Sequence, residues 1–189
     1  MPAYEPSLTI RQARDKYFTL SGFASDGGYG DKWVRLKIGR VPLGFPNTPS
    51  RVRAVKLHDI HHVLTEYATT WLGEAEIGAW EIASGCGRHY PAWLLNFGAL
   101  AIGLLLAPRR VFQAFVRGRY SRNLYQNQFQ EYLLDLTVGE LRAELAIPDR
   151  APPASAKDRL AFAGWSSASV AISLLPYVTA AVAVVMILQ

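Results

Sequence analysis

The string Leu57-His58-Asp59-Ile60-His61-His62, with Gly73-Glu74 following it, restricts the folding of this chain more than any other stretch. It reads His-Asp-x-x-His-x11-Glu, a spacing of imidazoles and carboxylates that suits a metal ion. His58 and His62 stand four residues apart, so on a helix they lie one turn above the other, about 6 Å along the axis. Asp59, three before His62, is also its neighbour on the helix surface. Glu74 imposes the stronger condition. On one continuous helix it would sit about 18 Å beyond His62, too far to share an ion. The first helix must therefore end near Tyr67, and residues 68–73 must turn the chain back. Glu74 then opens a second helix facing the histidines. The β-branched pair Thr69-Thr70 and Gly73 favour that shorter helix.

His58, Asp59, His62 and Glu74 are thus the candidate metal ligands and the candidate catalytic residues. Neutral imidazole and carboxylate suit zinc, iron and manganese alike. Glu66 is a rival ligand four residues after His62, with poorer reach. His61 points into the apolar face formed by Leu57, Ile60, Leu64 and Ala68, where it reads as a packed core histidine or a partner to the ligands. His89 follows a glycine-rich turn that nothing ties to the site. Tyr67, Trp71 and Trp80 read most simply as core aromatics, and one of them could line a pocket. Arg88, Arg109 and Arg110 are candidates to meet a substrate carboxylate, with lipid headgroups or solvent as their plainer contacts.

Around this motif the expected fold is mainly α, a helical single domain with a small β-hairpin near the N-terminus and a C-terminal membrane helix. Lys32 to Arg40 alternates charged and apolar residues with period two, the pattern of a half-exposed strand, and Val41 to Phe45 is its expected partner across Gly39-Arg40. Ser25 to Gly30 reads as a flexible loop. Thr48-Pro49 supplies a hydroxyl cap and a first-position proline for the histidine helix. Glu74 to Ser84 is the second helix, stopped by Gly85-Cys86-Gly87. Tyr132 to Leu145 is expected as one amphipathic helix on Leu133, Leu136, Leu141 and Leu145.

Half of the 189 residues are hydrophobic although 20 are Lys or Arg and 15 are Asp or Glu, and the excess lies in two blocks. Pro91 to Ala107 carries no charge but is at the lower edge of a spanning length, and equally suits a buried or membrane-resting helix. Val170 to Leu188 is also uncharged and long enough to cross a bilayer. Three regions follow: a helical metal-binding domain at 1–147, a proline-bearing linker at 148–165 and a membrane anchor at 166–189. Arg109, Arg110, Arg117, Arg119 and Arg122, spaced among apolar residues, read as a basic face against anionic headgroups. Basic residues between the two apolar blocks put the metal domain on the cytoplasmic side, provided that 91–107 does not cross. The net charge of +5 suits an anionic lipid surface; no nucleic-acid module is present, and no nucleic acid is expected as a partner. The first 20 residues lack the apolar run of a signal peptide. The single cysteine, Cys86, excludes an internal disulfide and fits a reducing compartment.

These residues resemble the coenzyme Q biosynthesis protein four family. Its hallmark, His-Asp-x-x-His-x11-Glu, falls here on His58, Asp59, His62 and Glu74 within KLHDIHHVLTEYATTWLGEAEIGAWE, and the likeness spans roughly Ser50 to Leu145. The resemblance implies a largely helical fold and a zinc ion held by those four residues. It implies association with membranes that carry prenylated quinone precursors, and a role in ubiquinone biosynthesis. The reaction it implies removes the ring carboxyl of a polyprenylated benzoate intermediate and replaces it with a hydroxyl. The alternative is a prenyl-lipid-binding scaffold in which the metal is structural. Its partners would be other quinone-biosynthesis enzymes or further copies of the chain. Glu66 departs from the family pattern, standing where glycine is common, and so does the C-terminal apolar tail. A phosphohydrolase using the His-Asp pair would need a further upstream histidine, and none precedes His58.

Overall fold

Where the histidine helix starts and stops is decided by local chemistry. The computed structural model describes residues 4–38, 41–126 and 129–187. Helix α2, Pro49–Thr65, opens on Thr48, whose hydroxyl accepts from the Arg51 N–H at 3.3 Å. It closes on Glu66 in the left-handed conformation, with φ 64° and its N–H bonded to the His62 carbonyl at 2.9 Å. That is the position where the resembled family favours glycine, and a left-handed φ is the physical reason glycine suits it. Thr70 then caps helix α3, Trp71–Ser84, by accepting from Gly73 N at 3.2 Å. Gly73 is required here, because a Cβ would lie 1.9 Å from the Ala68 carbonyl oxygen. The expected return of the chain is therefore present, with Glu74 in the first turn of α3.

Before α2 lie α1, Ile10–Ser21, and an antiparallel pair of strands, β1 at Trp33–Ile38 and β2 at Val41–Pro46, in the register Trp33↔Pro46 to Ile38↔Val41. The turn at 39–40 falls outside the described residues. The segment 25–30, expected as a flexible loop, is instead tied down. Asp26 accepts from Gly28 N and Gly30 N, Asn47 donates to the Gly28 carbonyl, and Tyr29 reaches α2.

After α3 come α4, Tyr90–Leu106, and α5, Pro108–Arg119. Both lie close against α3: Gly118 meets α3 so closely that a Cβ would stand 2.3 Å from the Trp80 carbonyl oxygen. The stretch 132–145 is not one helix. Short 3₁₀ turns at Leu124–Gln126 and Glu131–Leu134 precede α6, Val138–Glu144. Thr137 interrupts the run by capping α6 in a reciprocal bond with Glu140, a stronger local signal than the leucine spacing. The described residues thus form seven α-helices and one two-stranded hairpin, a mainly helical fold. Leu57, Ile60, Val63 and Leu64 of α2 are fully buried beside Tyr17, Phe18 and Trp80, each aliphatic side chain contributing roughly 1.5–3 kcal/mol.

The last helix, α7, runs Ala156–Ile187, so residues 156–165 of the expected linker are helical. Ser155 initiates it by exchanging bonds with Asp158, and Phe162 and Trp165 hold its first turns to the domain. Phe162 packs on Phe112 and Phe115 at 5.0 and 5.3 Å, and Trp165 on Trp93 and Phe97 at 5.3 and 5.9 Å. Its span Ala156–Thr179 is the one helix among the described residues long and apolar enough to cross a membrane, and Leu174, Leu175, Tyr177 and Val178 are exposed on it. Helix α4 is shorter and buries Ala92, Asn96, Leu100 and Gly103 within the bundle. Of the expected basic face, Arg117 is buried, while Arg109, Arg110, Arg119 and Arg122 stay exposed and two of these pair with carboxylates. Arg110 makes a two-pronged pair with Glu76 at 2.9 and 2.8 Å, and Arg119 pairs with Asp158 at 3.2 Å. Arg117 is buried, donating to the Thr65 and Pro148 carbonyls at 2.8 and 2.7 Å.

Candidate metal centre

The return between α2 and α3 brings His58, His62 and Glu74 together, with one ligand atom from each within 4.8 Å of the others. The two Nε2 atoms are 3.1 Å apart, and the Glu74 oxygens lie 3.4 Å from each of them. Proton placement follows from the partners on the other side of each ring. His62 Nδ1 sits 2.8 Å from the Tyr67 carbonyl, which can only accept, so Nδ1 carries the hydrogen. His58 Nδ1 sits 2.9 Å from Oε1 of Glu81, and burial alone would raise that carboxyl, yet the His58 and His61 partners hold it well below the usual carboxylate range. Glu81 is thus ionised and accepts, so His58 Nδ1 also carries the hydrogen. With Nδ1 of each ring engaged on its far side, the two Nε2 atoms face one another beside the Glu74 carboxylate. A proton or a metal cation shared among those three groups satisfies them, and the two compete for the same position. The arrangement could hold a metal ion, and its donors fit one.

Glu81 is the residue that spacing did not single out. It is fully buried, and its four acceptor positions are filled. Oε1 takes His58 Nδ1 and His61 Nδ1 at 2.9 and 2.7 Å, and Oε2 takes Asn96 Nδ2 and Tyr125 OH at 2.6 and 3.0 Å. The available signal was its place seven residues after Glu74, two turns along the same face of α3. His61 is the buried core histidine expected. Its Nε2 accepts from Leu124 N at 3.0 Å while Nδ1 donates to Glu81, and burial, against the pull of Glu81, leaves its pKa lowered.

Asp59 lies outside the group of three. One residue on from His58, it is rotated by about 100° around α2 and faces α1 and the 25–30 segment. There it accepts from Tyr29 OH at 2.6 Å and Tyr17 OH at 3.3 Å, and the Tyr17 ring stacks on His62 at 5.4 Å. Burial raises its carboxyl above the ordinary value despite the opposing pull of His58 and the tyrosines. Glu66 pairs with Arg142 at 3.4 Å, away from the triad, and Arg110 is held by Glu76. His89 caps no part of the site and packs against Tyr125 at 5.1 Å.

On its open side the centre faces a cavity of about 1150 Å³ whose wall carries His58, Asp59, Glu74, Tyr17 and Trp71. Leu94, Leu95, Ala99 and Ile102 of α4 make the facing wall, so the chamber is largely apolar with one polar, metal-competent side. A metal ion held by three protein ligands beside an accessible chamber would leave a coordination position for a further molecule, unlike a closed four-ligand structural site. Searches of protein-family models, of curated proteins and of solved structures return no match to this chain. Fold and site together define a helical protein with a His/His/Glu group able to hold a metal ion and one helix able to cross a membrane.

Proposed function

We propose that this chain is a zinc-dependent, membrane-associated protein of ubiquinone biosynthesis. In this reading it decarboxylates, and prepares for hydroxylation, a prenylated hydroxybenzoate-type precursor on the cytoplasmic side. The observation that carries the proposal is the convergence of His58, His62 and Glu74 on the wall of an apolar chamber. The chamber suits an aromatic ring with a hydrocarbon chain, and α7 suits residence where such lipids dissolve. The likeness of residues 50–145 to the coenzyme Q biosynthesis protein four family supports the substrate class.

His58, His62 and Glu74 would hold a divalent ion, which would supply Lewis-acid stabilisation of negative charge on a substrate oxygen. The chain's own residues do the rest. Glu81 and the Tyr67 carbonyl engage the two Nδ1 atoms and so aim both Nε2 atoms at the ligand position. Leu94, Leu95 and Ile102 give the chamber an apolar wall for a hydrocarbon chain. Loss of the carboxyl as carbon dioxide leaves an electron pair on the ring carbon, and the Asp59–Tyr17 pair on the wall is placed to hold a proton there. Oxygenating the ring carbon needs an oxidant, for which dioxygen is the simplest class: one oxygen atom enters the electron-rich phenolic ring and the other leaves as water, the ring supplying the two further electrons by passing to the quinone. The scaffold alternative is less favoured, because a structural ion would be closed off by a fourth protein ligand.

The test uses the purified full chain, loaded with zinc, iron or manganese in turn, with a prenylated hydroxybenzoate and dioxygen. Carbon dioxide release that disappears in His62→Ala supports the reading. Tight lipid binding with no turnover under any of the three metals replaces it with the scaffold.

A further inference from the structure

A second cavity, of about 1460 Å³, adjoins the first and is lined by Arg51, Arg53, Lys56, Arg88 and His89. No carboxylate lines it, and among the described residues Arg53, Lys56 and Arg88 pair with none. Lys56 lies over the Tyr29 and Phe129 rings at 5.5 and 5.1 Å, which orients its charge without neutralising it. Arg51 lies on both cavity walls. Its Nη1 donates to Asn47 Oδ1 at 2.8 Å and its plane lies over Phe45, while its Nε is buried with no hydrogen-bond partner. An unpaired donor at that depth costs stability unless a ligand meets it. His89 stands on the same wall, where burial and the Arg53 charge both lower its pKa, leaving a neutral ring able to donate.

Pro91, Leu94, Leu95, Phe45 and Tyr125 belong to both cavities, so the cationic groove grades directly into the apolar chamber. Arg51 precedes His58 by seven residues on α2, about 10 Å along the axis, and Asn47 draws its guanidinium further from the triad. A group bound in the groove therefore does not compete with the metal ligands. Concentrated positive charge without internal acids suits a multivalent oxyanion, and the exposed Leu94 and Leu95 beside it suit a hydrocarbon chain.

We infer that the Arg51/Arg53/Lys56/Arg88 groove is a binding site for a phosphate-type anion carried on a hydrocarbon chain. The head is held in the groove, and the chain runs over Leu94 and Leu95 into the chamber. The site goes beyond the proposed metal chemistry and does not depend on it.

The test is calorimetric titration of the full chain in neutral detergent with three probes: a short-chain phosphatidic acid, inorganic phosphate and the matching uncharged diacylglycerol. Phosphatidic acid is expected to bind in a salt-sensitive manner and at least about tenfold more tightly than either of the others. Arg53→Gln with Arg88→Gln, both on exposed side chains remote from the triad, should weaken it about tenfold or more while leaving metal content unchanged. His58→Ala should lose metal and still bind the lipid, which separates failure of this site from failure of the metal reading. Unchanged affinity in the double variant, or diacylglycerol binding as tightly, overturns the phosphate groove. Inorganic phosphate binding as tightly as the lipid overturns the chain path.

Discussion

Glu81 shows how one buried carboxylate sets the chemistry of residues that spacing alone would credit with it. By taking the Nδ1 hydrogens of His58 and His61 it fixes both rings, and only then can His58 offer Nε2 to an ion. Glu81→Gln should keep the helical fold but loosen metal affinity about 10–100-fold, read by competition with a chelator of known affinity. Affinity equal to the parent would remove Glu81 from the site. Protonation of His58 competes directly with metal. Burial alone would lower its pKa, but Glu81 and Glu74 together raise it well above the ordinary histidine value. The charged form is therefore favoured in the metal-free protein, and the proton must leave before the ion binds. Apparent metal affinity should consequently fall already on going from about pH 8 to about pH 6, roughly tenfold per pH unit for this ligand. A flat profile over that range would contradict the assignment.

At the scale of elements, the turn from α2 to α3 decides whether a metal group exists at all. Thr70 caps the incoming helix and so sets the height of Glu74. Thr70→Ala should cost about 1 kcal/mol in denaturant unfolding and weaken metal binding together. A stability loss with metal affinity untouched would show that the cap does not position Glu74. Glu66 occupies a left-handed position that favours glycine, with only the 3.4 Å pair to Arg142 in its favour. Glu66→Gly should therefore be neutral or stabilise by up to about 1 kcal/mol, since relief of the φ penalty offsets loss of the long ion pair to Arg142. Marked destabilisation would mean that the Arg142 contact matters more than the backbone.

For the molecule as a whole, α7 joins a folded domain to an apolar, exposed continuation. Its first turns are held by aromatic contacts through Phe162 and Trp165, while Leu174 and Leu175 face outward. Replacing Leu174 and Leu175 by Arg costs roughly 2.5–3.5 kcal/mol each in a bilayer core. The variant should move from the alkali-resistant membrane fraction to the soluble one with its metal content intact. Retention in the membrane would place the anchor elsewhere in the molecule.

Much of this was legible from local rules. Helical period and the 18 Å objection were enough to require a break before Glu74, Thr48-Pro49 marked the start of α2, and period-two alternation marked the hairpin, because capping, helix rise and strand alternation are properties of neighbouring residues. Other features depended on residues distant in the chain. Tyr29 comes to Asp59 across 30 residues and Tyr125 to Glu81 across 44, and no local pattern announces either. For the same reason the tyrosine partners of Asp59 were not legible in the spacing, nor was the burial of Arg117 against the Thr65 and Pro148 carbonyls. The chain by itself determined which side chains could meet a cation, since their spacing along helices is local geometry. Only the tertiary structure decided which of them do, because burial beside Glu81 chooses the tautomers and packing against α1 and α4 chooses the direction each one faces.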